Sequence, residues 1–224
     1  MKSFIINYKA YKEGVDLGLD IAKAAAEVSE KTGVDVIVAP PFTLLRESSK
    51  MVKTIAQSID DKGPGAFTAH VSWYEIKKSG STGTLLNHSE YRYVSEGENI
   101  DYARLGKAID ACKQNGLFTY VCVQNVSEAG EVLKLRPTAI AYEPPELIGG
   151  DISVSTAKPE MVKEFCDIVK NVSGVLPLIG AGIKTANDVK TSVELGSEGI
   201  LVASGVMEAT DFKNVILELA EPLR

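Results

Sequence analysis

Thr138-Ala139-Ile140-Ala141-Tyr142-Glu143-Pro144-Pro145-Glu146 carries the pattern from which the fold is read: a short apolar run ending on a carboxylate and then on two prolines. Pro144 biases Glu143 toward an extended backbone and the proline pair stiffens the exit, so the run reads as a strand that presents a carboxylate at its end. Two other apolar runs end on polar chemistry in the same manner, one on Asn7-Tyr8-Lys9 and one on Asn87-His88-Ser89-Glu90. Three strands ending on groups suited to moving a proton, spread over most of the chain, describe a site assembled at one end of a barrel.

Outward from these three, short β-branched runs alternate with longer stretches of helical period. The strands are expected over 3–7, 34–39, 54–59, 83–87, 117–123, 138–142, 175–179 and 199–203. Between them, Leu17, Ile21, Ala24, Ala25 and Val28 share one face of a helix expected over 15–31. A second helix is expected over 101–115, with Gly116 closing it. Pro159 sits where a first helical turn tolerates proline, and Thr185 precedes Ala186-Asn187-Asp188 as an N-cap. Strands apolar on both faces, each followed by a helix, argue for parallel pairing with right-handed crossovers. With no composition break and no linker, the eight units are expected to form a single α/β domain over 1–224, a (β/α)8 TIM barrel. The alternative, a doubly wound open sheet, lacks its glycine fingerprint after the first strand, where Asn7-Tyr8-Lys9 stands instead.

Composition narrows the function. The 224 residues are 45% apolar, enough for a sizeable core, and the net charge is -6. An acidic chain with no Lys/Arg block has no sequence-independent grip on nucleic acid or on an anionic membrane, so neither is an expected partner. A small anion remains open, because a local cluster of donors can outweigh the global sign. Cys112, Cys122 and Cys166 are far apart and odd in number, and read as reduced, mostly buried thiols of a cytoplasmic protein. The apolar run before Asn7 is too short for a signal segment, and no stretch is long enough to span a membrane.

Catalytic groups of a barrel stand at the C-terminal strand ends. Asn7 and Lys9, two residues apart, share one face of the first strand, which points into the mouth if Ile6 points out. The plainer reading of Lys9 is a solvated side chain beyond a strand that has ended. His88 is one of two histidines; a strand-end histidine is often only a hydrogen-bonded structural residue, but Glu90 on the same segment favours a polar cluster. His70, the other, falls in a polar loop and reads as a surface residue. After Glu143, the segment Glu146-Leu147-Ile148-Gly149-Gly150-Asp151 has an apolar tip between a stiff end and a glycine end, the composition of a lid. Gly180-Ala181-Gly182 and Ala203-Ser204-Gly205 follow the last two strands, where barrels commonly cradle phosphate, although glycine there also serves plain turn geometry.

Taken in order, Asn7-Tyr8-Lys9, the segment from Thr84 to Glu90, Glu143-Pro144-Pro145-Glu146-Leu147-Ile148-Gly149, Gly180-Ala181-Gly182-Ile183 and Leu201-Val202-Ala203-Ser204-Gly205 resemble the triosephosphate isomerase family, of archaeal type, over essentially the whole chain. The resemblance implies interconversion of two phosphorylated three-carbon sugars with no metal or organic cofactor. It implies Glu143 as base, His88 as electrophile, Lys9 as the cation meeting developing charge, and Asn7 and Tyr8 as substrate-side residues. Ile148, Gly182, Ala203 and Ser204 would meet the phosphate, and Glu90 would support the cluster. A neutral catalytic histidine and a closing lid are likewise properties of that family, not readings of spacing. It also implies a homodimer or homotetramer in which the long 64–73 loop enters a neighbouring subunit, with Thr68 touching that subunit's site. The chain departs from the family at Gly149-Gly150-Asp151, where Gly-Thr-Gly is common, and at Thr68-Ala69-His70, where Thr-Gly is. Asp151 is expected to point to solvent, and the extra glycine to make the open lid more mobile.

Other chemistries fit less well. A metal-dependent epimerase needs several inward histidines and acidic ligands, for which two histidines are too few. A Schiff-base aldolase wants a lysine near Glu143. A barrel that has lost its chemistry need not keep Asn7, Lys9, His88 and Glu143 together.

Overall fold

Parity along the first strand, β1 (Ser3–Asn7), sets the architecture. All five residues are buried, yet they divide between two cores. Ile5 packs in an inner cluster with Ile37, Ile55, Leu85, Tyr120, Cys122, Ala139, Ala141, Leu178 and Leu201. Phe4 and Ile6 belong to an outer cluster with helix residues such as Ile21, Ala25, Ile109 and Phe165. A strand buried on both faces, by strands within and helices without, is a barrel wall.

The computed structural model describes residues 2–95, 99–150 and 152–224. After β1 come β2 (Asp35–Ala39), β3 (Ile55–Ala56), β4 (Gly83–Leu86), β5 (Phe118–Val123), β6 (Ala139–Tyr142), β7 (Leu176–Ile179) and β8 (Gly199–Val202). Neighbours pair in parallel in the order β2-β1-β8-β7-β6-β5-β4-β3. A parallel bridge between Val38 and Thr54 then joins β2 to β3 and closes the ring. Register carries the parity around the wall: Ile5 faces Ile37 on one side and Leu201 on the other, and Cys122 faces Ala141, which faces Leu178. This is the expected (β/α)8 TIM barrel, and its C-terminal strand ends form one mouth.

Helix ends follow the expected chemistry. The helix Tyr102–Gln114 begins where Asp101 accepts the Arg104 N–H. It ends in a paired cap: Leu117 N–H donates to Cys112 O and Gly116 N–H to Lys113 O, with Gly116 left-handed. Pro159 opens the helix Pro159–Lys170, and Thr185 and Asp188 form a reciprocal cap on Ala186–Glu194.

Two expectations are corrected. The single helix over 15–31 is two, Lys12–Asp16 and Gly18–Thr32, and Val15 and Leu17 lie exposed at the junction. The break falls where the chain packs onto Tyr8, whose hydroxyl donates to Gly18 O at 3.1 Å. The third strand, expected over 54–59, keeps ladder pairing only at Ile55–Ala56. Beyond it Asp60 turns to the far end of the following loop, its N–H donating to Val71 O at 2.7 Å and its carboxylate accepting Val71 N–H at 2.8 Å. His70 is exposed, as expected, and its ring leans on that carboxylate at 3.2 Å. The three cysteines are free and buried, as expected.

Candidate active site

β1 stops at Asn7, and the chain then bends through a left-handed residue, Lys9 (φ 47°). Its N–H donates to Asn7 Oδ1 at 3.0 Å. The lysine ammonium reaches across the mouth to Glu90 Oε1 at 2.9 Å. Strand alternation puts Ile5 and Asn7 on the inner face and Phe4, Ile6 and then Tyr8 on the outer one, and the left-handed turn at Lys9 carries its ammonium back to the mouth.

β4 hands over through a second left-handed residue, Asn87 (φ 57°), a conformation asparagine tolerates better than most residues. Its amide donates to Cys122 O on β5 at 3.0 Å and its carbonyl accepts Tyr93 N–H at 3.1 Å. The buried His88 follows directly. The backbone N–H of Glu90 donates to His88 Nδ1 at 3.2 Å. With Nδ1 taken up as the acceptor of that bond, Nε2 is the ring nitrogen left to donate, toward the mouth.

β6 ends at Tyr142, and Glu143 donates its N–H to Val123 O at 2.9 Å, so the ladder holds its backbone up to the prolines. Glu143 is 6% exposed, and its Oε2 has no hydrogen-bond partner among the described residues. That oxygen lies 3.7 Å from His88 Nε2, too far for a hydrogen bond between them. Burial pushes the Cys122 thiol well up, and the adjoining Glu143 charge pushes it further, so a protonated thiol lies against the carboxylate. Glycine is required at position 180, where a Cβ would come within 2.6 Å of the Glu143 Cγ and Oε1.

The segment after Glu143 leaves through a single turn, Pro145–Leu147, with Glu146 paired to Lys158 and held below the usual carboxylate range by it. Its far side returns against the β7 turn. Val154 N–H donates to Ala181 O at 3.2 Å, and a Cβ on Gly182 (φ 70°) would sit 2.2 Å from Ile152 O. Asn7, Lys9, His88, Glu143, Ile148, Gly182, Ala203 and Ser204 line one cavity of about 420 Å³, its open mouth included. Ala203 and Ser204 enter it at the start of the short helix Ser204–Met207.

Of the remaining candidates, Glu90 stands behind the cavity, bracing Lys9 and His88. Thr68 lies exposed in the 61–72 loop, away from the chain's own cavity. Tyr8 is corrected: it is fully buried in the outer cluster, because the alternation that turns Asn7 inward turns Tyr8 outward. Asp151, expected to face solvent, lies outside the described residues. Gly149, Ala181, Ile183, Leu201 and Val202, which also line the cavity, fall inside the motifs quoted from the sequence, whereas Tyr11 lies outside them. No strand period reaches Tyr11, which follows a turn closed by its N–H on Tyr8 O at 3.2 Å. Among the described residues, no group of three or more His, Cys, Asp and Glu side chains could hold a metal ion, and no helix is long and apolar enough to cross a membrane.

Comparison with known proteins agrees along the chain. The family model described as Triosephosphate isomerase matches residues 2–219. A protein of Methanopyrus kandleri named triosephosphate isomerase is 43% identical over 98% of this chain and 96% of its own length. Proteins of the same name from Methanocaldococcus jannaschii and Caldivirga maquilingensis are 43% and 42% identical, over 96% and 98% of this chain and 97% and 96% of their own. Likeness of this depth, unbroken from the first strand to the last helix, means that the chain belongs to the triosephosphate isomerase family.

Proposed function

We propose that the protein interconverts dihydroxyacetone phosphate and D-glyceraldehyde 3-phosphate through an enediolate, with Glu143 as base, His88 as electrophile and Lys9 as electrostatic stabiliser. Glu143 takes a proton from the carbon next to the carbonyl. The C–H electron pair becomes the carbon–carbon double bond, and the carbonyl π pair moves onto oxygen. Returning the proton to the neighbouring carbon, while the hydroxyl proton on the first oxygen passes to the second, re-forms a carbonyl at the first carbon and completes the isomerisation with no net change in atoms or electrons. One carboxylate can serve both carbons with little movement. The growing oxyanion needs donors already in place, which the Nε2–H of His88 and the ammonium of Lys9 supply; acid–base positioning of this kind contributes roughly 10²–10⁴-fold.

The observation that carries this reading is the unpaired Oε2 of a buried Glu143, facing His88 Nε2 across 3.7 Å in one cavity. A buried carboxylate oxygen is rarely left without a donor unless it has work to do there. Asn7 would orient the substrate, and Ile148, Gly182, Ala203 and Ser204 would meet its phosphate. A lid excluding water would keep the enediolate from eliminating that phosphate.

A homo-oligomer, dimer or tetramer, belongs to the same proposal. Asn7, Lys9 and His88 also line a second concave surface, whose rim includes Phe42 and Tyr91, 43% and 57% exposed. A catalytic lysine and histidine open on that side call for a cover, and the projecting loop with Phe67 and Thr68 on a second copy has the length to supply it. Light scattering would test this: a fully active monomer in dilute solution contradicts it. A cytoplasmic place in glycolysis and gluconeogenesis follows from the same reading.

The test of function is a coupled assay with each triose phosphate, with and without chelator. Turnover in both directions, indifferent to chelator and lowered by roughly 10²–10⁴-fold in Glu143→Gln, is expected. No turnover in a folded sample, or turnover abolished by the chelator, contradicts the proposal.

A further inference from the structure

We infer that Gln57 is a positioning residue for Lys9, its side-chain amide holding the lysine in the backbone conformation that sends the ammonium into the cavity. The inference rests on the assignment of Lys9 to the reacting centre. Lys9 is left-handed, which costs free energy for a residue with a Cβ and persists only where the surroundings over-determine it. Two side chains do so here. Asn7 accepts the Lys9 N–H at 3.0 Å, and Gln57 Nε2 donates to the Lys9 peptide oxygen at 2.8 Å. The same Nε2 donates to Ala39 O at 3.1 Å. A primary amide has two N–H groups, so both bonds form at once, and Ala39 O also takes the Tyr8 N–H at 3.1 Å.

Placement makes the clamp intelligible. The β3 ladder ends at Ala56, so Gln57 is the first residue free to leave it, and its side chain crosses the end of β2 to the end of β1. The peptide oxygens at two strand ends, which no further ladder residue meets from β3, receive an amide instead. Lys9 is then fixed from both directions: its backbone by Asn7 and Gln57, its ammonium by Glu90 at 2.9 Å. A methionine at 57 would fill similar space with no donor, and an ionised glutamate would set an oxygen against two carbonyl oxygens.

A purely structural role is the competing account, because Gln57 sits where β2 and β3 meet through the single bridge Val38–Thr54. A double-mutant cycle separates the two. With wild-type turnover of the triose phosphates as the control for the isomerase reading itself, kcat/KM is measured for Gln57→Met, Lys9→Ala and the double variant, with folding followed by circular dichroism. The affinity of a phosphorylated hydroxamate mimicking the enediolate is measured by calorimetry. Gln57→Met should lower kcat/KM by about 10- to 100-fold and weaken the mimic by a similar factor, the scale expected when a reacting group is misplaced. In the Lys9→Ala background the same substitution should change kcat/KM by less than about twofold. An unchanged kcat/KM in Gln57→Met, or an equal loss with and without Lys9, overturns the inference. If Gln57→Met does not fold, Gln57→Glu serves instead. Its activity relative to wild type should fall as pH rises and the glutamate ionises, and a ratio constant from about pH 5 to pH 9 overturns the inference.

Discussion

His88 and Glu143 face one another across the mouth and are held in opposite ways. The imidazole is constrained at its far nitrogen by the Glu90 N–H, at its backbone by the left-handed Asn87, and through Asn87 to β5 and to Tyr93. The Glu143 backbone is as firmly laddered, but its Oε2 has no partner among the described residues. The difference teaches what each must do. A group that polarises an oxygen works best when fixed before charge develops, since reorganising it would cost free energy during the reaction. A group that collects a proton from one carbon and returns it to the next must stay free to move, and a donor bound to Oε2 would stabilise its charge and oppose proton uptake.

The contrast can be broken at the mobile side first. Glu143→Gln keeps the shape but cannot take a proton, and kcat should fall toward the upper end of roughly 10²–10⁴-fold with an unchanged circular dichroism spectrum. On the fixed side, His88→Gln should cost about 10²–10³-fold in kcat, the scale of one lost oxyanion donor; a larger loss than in Glu143→Gln would reverse the assignment of roles. Gly180→Ala sharpens the question of freedom, because the new Cβ would meet Glu143 within 2.6 Å. Steady-state kinetics should show a loss of about 10- to 100-fold, with KM little changed. The smallest effect belongs to the support of His88. Asn87→Ala removes two hydrogen bonds and keeps a left-handed site, so urea denaturation should show a loss of about 2–3 kcal/mol. Asn87→Gly, which accepts that backbone, should lose only about 1–2 kcal/mol.

Much of the barrel was legible in the chain because strand and helix periods differ and because eight apolar runs are separated by turn and cap residues such as Gly116, Pro159 and Thr185. What failed were boundaries decided by tertiary contacts. The break before Gly18 depends on a tyrosine ten residues upstream, and the early end of β3 depends on the Asp60–Val71 pairing across a loop. Within the site, residues at motif positions on strand ends were legible: Asn7, Lys9, His88 and Glu143 meet in one cavity. Tyr8 was misassigned because the resemblance was carried across three consecutive residues, whereas alternation turns the middle one away from the mouth. Gln57 and Cys122 were invisible because their roles lie in contacts between strands, with no local motif to mark them.

The central claim is that one carboxylate carries one proton between adjacent carbons. Its most direct test is turnover in D2O followed by mass spectrometry of the product. Wild-type protein should place deuterium from solvent on the carbon that receives the proton, in a fraction set by exchange of the acid form of Glu143 against its return of the original proton, and Glu143→Gln should form labelled product slower by roughly 10²–10⁴-fold. Product formed by Glu143→Gln as fast as by the wild type, with the same label, would mean that another group carries the proton, and would contradict the account.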